Sequence, residues 1–523
     1  MLTLSNMLRA TAQCYGTRPA ILDADGDQAG NLNWDQYFEQ IRKTAGALRR
    51  LGLQPGDRFA TLCRNCVLHG QLLNAGYWAG VVPVVLNFRL SPAEIAQLLE
   101  DAQCDVLMID NAFLPLLDQS AFARYRERAI VVPVDGSDPC FPRLDDMIAL
   151  SAPLPGHEAH EDDDAIILYT GGTTGRGKGV RLSHRNVMSN ALQLSRVINP
   201  DEYDIYLHVS PMFHSTDLKA TVVTMFGGGH VYHKEFSVDA VLQSVERHRV
   251  SILSLVPTMI VRVLKEGRLD QYDLSALRLV SYGTSPIGEG TLRAAMAAFP
   301  HAGFHQCYGL TEASPLLALL DEPAHRRALQ DKPELLRAAG RPLPGVDMRF
   351  LDDNGQEVPR GEIGEIVVRG PQVSKGYWNR PEDNASAFRD GWFHTGDVGR
   401  LDEDGYLYVL DRKKDMVITG GENVYTREVE NVLHQHPDVA DVAVVGVPDE
   451  KFGEALLAAI VLRAGREAPP EQALIEFCRS QLGGFKIPRR YLFVDQFPRT
   501  TMGKIRKPEI AQMYLRKAET AAP

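Results

Sequence analysis

The sequence predicts an α/β protein of several domains, and three observations predict it. Short apolar runs alternate with helically patterned stretches over residues 1–160, the pattern of a mostly parallel, doubly wound sheet. A second block of the same kind runs to about residue 339, and from about Gly340 the texture changes to short strands and turns. A glycine-rich loop follows the apolar run 166–169, and loops at strand ends are where such sheets bind ligands.

In the first block Tyr37, Ile41, Ala45 and Leu48 recur at helical spacing, which predicts a helix over 34–53 closed by Gly52. Residues 59–62 then read as a strand, followed by helix 71–79, strand 81–86, helix 92–101 and strand 106–109. After the loop, Ser183 to Asn186 open a helix reaching about Val197. Strands at 206–209, 252–256 and 279–282 carry the second block. The segments 346–351, 364–369 and 405–410, with a turn at Asp353, Asn354 and Gly355, read as a small β-barrel or sandwich. From Arg412 onward, strands 442–447 and 456–462 with helices 427–434 and 472–482 form a compact α+β unit of domain size.

The chain of 523 residues has net charge −11, which argues against a nucleic-acid partner. Its apolar runs fall short of a bilayer span, and its first residues lack the charged-then-apolar order of a signal peptide, so the expected location is cytoplasmic with no transmembrane segment. Seven scattered cysteines do not make a disulfide framework; Cys63 and Cys66 read as core residues or the start of a helix. His157 and His160 have the wrong spacing for a zinc-binding helix and run into an acidic loop.

The loop itself is built to hold phosphate. Thr170, Gly171, Gly172, Thr173, Thr174, Gly175, Gly177, Lys178 and Gly179 combine backbone that can turn its N–H groups onto an anion with hydroxyl donors and a cation. Gly172 to Lys178 satisfies a Walker loop except that Gly179 stands where the magnesium-binding hydroxyl belongs, which weakens a P-loop NTPase reading.

Six further segments follow in order: Pro211 to His214, Tyr308 to Glu312, Gly376 to Trp378, Trp392 to Asp397, Asp411 to Asp415 and Pro498 to Lys504. Together with 169–180 they resemble the adenylate-forming (AMP-binding) superfamily, in its acyl-CoA synthetase or fatty-acid–CoA ligase branch, over nearly the whole chain. The resemblance implies an N-terminal AMP-binding domain over 1–411, with α/β subdomains to about 339 and a β-barrel over 340–411, and a mobile C-terminal domain over 412–523. It implies ATP, Mg²⁺ and coenzyme A, and a ligase that converts a hydrophobic fatty, alicyclic or aryl carboxylate to acyl-AMP and then to a thioester.

By the same resemblance Thr173, Thr174 and Lys178 hold the β- and γ-phosphates, with Thr170, Gly171, Gly172 and Gly175 in the same loop. Glu312 and Thr173 attend the magnesium ion, and Thr311 contacts phosphate. Tyr308 stacks near adenine beside Gly283, Thr284 and Gly309; Asp397 accepts the ribose hydroxyls with Arg412 in support. His214 lines or gates the carboxylate pocket. Lys504 offsets charge on the transferring group. The C-terminal domain swings at Lys414, and Gly421 lets the pantetheine chain pass close to the backbone.

Some positions depart from the family pattern. Gly171 replaces a common serine, Gly177 and Thr426 replace common prolines, and Leu218 stands where some long-chain synthetases carry a gate tryptophan. Candidate pocket walls are 213–219, 221–225, 281–284 and 307–310; within them Asp217 and Lys219 either face solvent or recognise a polar substituent. The partners expected are a small-molecule carboxylate and CoA, with a homodimer left open. The alternatives are an adenylating enzyme that serves a carrier protein and a non-catalytic protein that binds nucleotide or acyl-adenylate.

Overall fold

The computed structural model describes residues 1–26, 30–135, 140–170, 177–285, 287–500 and 504–521. The chain forms two compact units, Met1–Thr284 with Thr291–Asp347 and Val368–Phe393, and Ser285–Gly290 with Met348–Val367 and His394–Pro523. Residues 394–411 cluster with the C-terminal residues because the strand Leu407–Arg412 and the helix start at Thr426 are tied together through Asp411.

In the first unit a six-stranded sheet runs Ala129–Val132, Val106–Asp110, Arg58–Leu62, Val82–Val85, Asp164–Thr170, Lys178–Ser183. All neighbours are parallel except the last two strands, which form an antiparallel hairpin around the glycine loop. Leu62, Val84, Leu107, Ile109 and Ile167 pack against Ile95, Leu98 and Leu99 of the helix Pro92–Ala102. The predicted helix at residue 34 is Trp34–Arg50, started by an Asn33/Gln36 capping box and burying Tyr37, Ile41, Ala45 and Leu48.

A nine-stranded sheet carries the second block, in the order Arg341–Pro342, Leu316–Leu320, Gly303–Gly309, Leu279–Gly283, Ile252–Leu255, Ile205–His208, Gly229–Tyr232, Pro19–Ile21, Leu32–Asn33. Its interior is parallel and both edges are antiparallel. Two of its strands come from the start of the chain, with Ile21 paired to His230. The two blocks are therefore interleaved in sequence. A helix over Leu4–Tyr15, capped by Thr3, precedes them and is an element that the sequence reading missed.

The residues expected to form a barrel make a five-stranded sheet of Asp347–Leu351, Gly364–Arg369, Phe388–Arg389, Trp392–Leu401 and Leu407–Arg412. In the second unit a further sheet places Gly453–Leu462 between Val439–Asp449 and Arg490–Phe493, with Val417–Thr419 and Glu422–Val424 beyond. Alternation sends Val442 and Val444 to one face, against Val429, Leu433 and Leu474, and Ala443 and Val445 to the other, against Ile510. Cys66 caps the helix Val67–Ala79 and Cys63 is buried, so this pair is structural. No helix among the described residues is long and apolar enough to cross a membrane.

His325 shows how the core treats titratable groups. Its Nδ1–H donates to the Asp321 carbonyl at 2.8 Å and its Nε2 accepts the Tyr282 hydroxyl at 2.8 Å. Burial pushes its pKa down from 6.5 to about 4. As pH falls below 6.5 the unfolded chain takes a proton that the folded chain refuses, so stability is lost progressively down to about pH 4. Thermal melts of His325→Gln should decline less steeply than wild type over that window; equal slopes would show that this imidazole does not contribute.

Candidate functional site

The hairpin fixes one side of a polar centre in the first unit. Gly171, Gly172, Thr173, Thr174 and Gly175 lie outside the described residues. Thr170, at the end of its strand, directs its hydroxyl to the Lys178 carbonyl at 3.4 Å. Lys178 donates to Asp383 Oδ1 at 2.5 Å, and its ammonium lies 5.1 Å from the centroid of the Tyr377 ring, within cation–π range. The lysine thus starts the second strand of the hairpin, and the chain enters its helix, His184–Ile198, only after that strand.

The segment 374–378 is laced to the same hairpin. Arg181 N–H donates to the Gly376 carbonyl at 3.0 Å, and Trp378 N–H to the Gly179 carbonyl at 2.7 Å. Asn384 clasps Tyr377 through both backbone groups, at 2.6 and 3.0 Å. From this fixed backbone the Tyr377 phenol donates to Glu312 Oε1 at 2.8 Å, while Ser374 N–H donates to the Glu312 carbonyl at 2.7 Å. Glu312 sits in the one-turn helix Thr311–Ala313 and is 8 % exposed. Its second carboxylate oxygen has no hydrogen-bond partner among the described residues.

This donor set suits a hard cation. No group of three or more His, Cys, Asp or Glu among the described residues could enclose a metal. A single carboxylate oxygen with hydroxyls and ligand phosphates nearby is the arrangement that magnesium accepts, because it keeps most of its water. Asp383 and Tyr377 act on the two charged groups here. Sequence reasoning quoted Tyr377 in a motif without a role and missed Asp383, which carries no local signal beyond an acidic helix start.

Thr311 exchanges a hydroxyl hydrogen bond with Ser215 at 3.1 Å, linking this segment to the one-turn helix Ser215–Lys219. His214 caps that turn by accepting from Thr216 N–H at 3.2 Å and also bonds the Thr216 hydroxyl. Tyr308 is half-buried on the strand Gly303–Gly309, paired with Ala318. Gly283 and Gly309 have packing reasons for lacking a side chain: a Cβ would stand 2.3 Å from the Cys307 carbonyl and 2.0 Å from that of Pro315. Thr284 adopts φ +68°, a conformation that costs a β-branched residue.

Neither Asp217 nor Lys219 faces solvent. Asp217 accepts from His208 Nδ1 at 2.9 Å, and His208 Nε2 meets His230 Nδ1 at 3.0 Å. Lys219 is 4 % exposed and donates to Ser254 Oγ at 2.7 Å and Ser281 Oγ at 2.9 Å.

In the second unit Asp397 and Arg412 are cross-strand partners joined by a 2.6 Å ion pair, with the Asp397 side chain 7 % and the Arg412 side chain 43 % exposed. Gly420 and Gly421 both have positive φ, +61° and +85°, and make the two-residue turn between Thr419 and Glu422. Such a turn needs positive φ at both positions, which glycine adopts without strain whatever else passes by. Lys504 is exposed, and its N–H donates to the Thr500 hydroxyl at 3.1 Å. Thr426, which replaces a common proline, donates to Asp411 Oδ2 from its N–H at 2.5 Å and its hydroxyl at 2.7 Å. A proline could supply neither bond.

The family pattern for an AMP-binding enzyme matches residues 8–378, and that for an AMP-binding enzyme C-terminal domain matches 428–504. The chain is 37 % identical over 485 residues to a feruloyl-CoA synthase of an Amycolatopsis species, covering 92 % of this chain and 94 % of that one. It is 34 % identical over 508 residues to the fatty acid–[acyl-carrier-protein] ligase ScoC of Streptomyces coeruleorubidus, covering 96 % and 95 %. ATP-bound MatB from Rhodopseudomonas palustris superposes with TM-score 0.87 at 34 % identity, covering 98 % and 99 %.

Asp411 is buried, so its two donors from Thr426 count heavily. Thr426→Val, which keeps the shape and loses the hydroxyl, should lower the stability of the second unit by about 1.5–3 kcal/mol. Thr426→Ser should recover most of it. The urea midpoint of that unit's transition reads both, and equal midpoints for Val and Ser would refute the role of the hydroxyl.

Proposed function

The chain belongs to the AMP-binding enzyme family, and from that premise we propose an ATP-dependent acid–CoA ligase for hydrophobic carboxylic acids. Enzymes of this class use ATP, Mg²⁺ and CoA. The observation that most supports the reading is the Glu312 carboxylate, one oxygen held by the Tyr377 phenol and the other without a partner among the described residues. Bound there, Mg²⁺ would neutralise charge on the phosphates of ATP.

The chain's own residues divide the rest of the work. Gly171, Gly172, Thr173, Thr174 and Gly175 would offer N–H and hydroxyl donors to the β- and γ-phosphates, with Thr173 beside the metal. Lys178 would exchange Asp383 for phosphate: its ion pair is partly exposed, which makes it weak enough to be displaced by a multivalent anion. Thr311 would donate to phosphate from a hydroxyl already oriented by Ser215. Adenine would lie against Tyr308, Gly309, Gly283 and Thr284. Asp397, steadied by Arg412, would accept the ribose hydroxyls.

The acid would enter beside His214 and the buried apolar Met212 and Phe213. Attack by its carboxylate oxygen on the α-phosphorus forms acyl-AMP as the bond to pyrophosphate breaks. Lys504 would donate to the oxygens on which charge gathers. Attack of the CoA thiol on the acyl carbon then releases AMP and the thiol proton. The two steps need different neighbours at one centre, so the residues from 412 onward would swing about Lys414, bringing Gly421 and its turn to the thiol's path. The division at 411/412 is accordingly a functional one.

A carrier-protein thiol in place of CoA is the second reading, supported by the similarity to an acyl-carrier-protein ligase. All seven cysteines are free thiols, in keeping with the reducing cytoplasm that we assign. The test is pyrophosphate release with a panel of carboxylates, with and without CoA. Thioester formed only when CoA is present supports the ligase. Pyrophosphate without acyl-CoA would move the assignment to a carrier protein, and none with any acid would leave a nucleotide-binding protein.

Lys504→Ala should slow adenylation by about 10²- to 10³-fold while sparing thioester formation from supplied acyl-AMP. Single-turnover assays of the two half-reactions separate them; equal losses in both would contradict a lysine that serves the first step alone.

A further inference from the structure

Lys219 is a buried cation with no counter-charge among the described residues. No carboxylate pairs with it among the described residues, and its two hydrogen bonds go to neutral serine hydroxyls. An ammonium has three protons to donate, and a buried charge without a counter-charge is costly to keep.

The surface that it faces is polar by construction. Parallel pairing sets Ser254 beside Ser281 and Ser281 beside His305, so the three side chains form one row on one face of the nine-stranded sheet. His305 is 5 % exposed, and its Nδ1 has no hydrogen-bond partner among the described residues. Burial, with the Lys219 charge among the lesser causes, pushes the His305 pKa down to about 3, so the imidazole is neutral in use. The row lies two residues below Gly283 and Cys307, toward the strand ends where ligands of such sheets bind.

The turn Ser215–Lys219 connects this row to the reacting end. Ser215 at its start bonds Thr311, and Lys219 at its finish reaches Ser254 and Ser281. At a 3₁₀ rise, the two ends stand about 8 Å apart. An aryl or short aliphatic acid fills that span.

We propose that Lys219, Ser254, Ser281 and the open Nδ1 of His305 form a polar end to the acid's site, and that the substrate is a carboxylic acid carrying a second oxygen function, carboxylate or phenol, at its far end. The inference rests on the acid-adenylating function above and names its substrate class. The distal oxygen takes the third ammonium proton and supplies the missing partner.

The test compares matched acids with and without that oxygen: adipate against hexanoate, and para-hydroxycinnamate against cinnamate. Wild type should favour the oxygen-bearing member of one pair in kcat/KM, the adipate pair identifying a carboxylate and the cinnamate pair a phenol. Lys219→Met should reduce that preference by about 10- to 100-fold, the worth of a hydrogen bond to a charged group. Ser281→Ala should move it the same way by less, and it carries the test if the Met variant does not fold. Calorimetric binding of the same acids reads the preference without turnover, so an absence of pyrophosphate would overturn the ligase reading alone, while tighter binding of the oxygen-bearing acid that Lys219→Met abolishes supports this proposal and equal binding overturns it. A wild type that favours the unsubstituted acid in both pairs, or a preference unchanged in the variants, overturns the proposal.

Discussion

The bond from the Tyr377 phenol to Glu312 is the constraint around which the first unit's chemistry is arranged. A carboxylate this buried must be satisfied, yet one satisfied at every lone pair could bind nothing further. The protein resolves the conflict by dividing the group. One oxygen is held by a phenol whose own backbone is clasped by Asn384 and laced to the hairpin through its neighbours, and the other has no hydrogen-bond partner among the described residues. Because the phenol's ring also lies beside the Lys178 ammonium, one residue sets the position of an anion and a cation at once. The helix Pro381–Ala387 supplies both supports, Asn384 for Tyr377 and Asp383 for Lys178.

A second buried arrangement is polar without belonging to that centre. Asp217, His208, His230 and Thr224 make a chain of hydrogen bonds under the strand ends, each spanning about 3 Å. Burial drives the His230 pKa well down, so His230 carries no charge and joins the chain by hydrogen bonding alone. Lys219, two residues from Asp217, has two serine hydroxyls but no ionisable partner among the described residues. The same turn therefore carries one charge that the fold has accommodated and one that it has left open.

The sheets were legible because their evidence is local. Apolar alternation and helical spacing lie within a dozen residues, and the strands Arg58–Leu62, Val82–Val85, Val106–Asp110, Ile205–His208, Ile252–Leu255 and Leu279–Gly283 follow from them, whereas the short strands Pro19–Ile21, Leu32–Asn33 and Gly229–Tyr232 did not stand out. Ser254, Ser281 and His305 were not legible as a unit, because their adjacency exists only through lateral pairing between distant strands. Asp217 and Lys219 looked equally suited to solvent, since a charge in a sequence does not reveal that a polar row awaits it. Thr426 stood out only as a missing proline; its reason appears once Asp411 is seen beneath it. The glycines read the other way. Gly283, Gly309 and the pair Gly420 and Gly421 each have a packing or turn requirement that sequence alone could not separate from ligand contact.

The pairing of Ile21 with His230 also bears on how the protein is made. A chain emerging from the ribosome presents the strand Pro19–Ile21 about 200 residues before its partner exists. The six-stranded sheet, complete by Ser183, can assemble in the meantime, while the nine-stranded sheet must wait with its first two strands already waiting in solution. Birth order and spatial order disagree at that edge. The helix Trp34–Arg50, whose Trp34 indole donates to the Gly227 carbonyl at 3.0 Å, ties the early chain to the later strands across that edge.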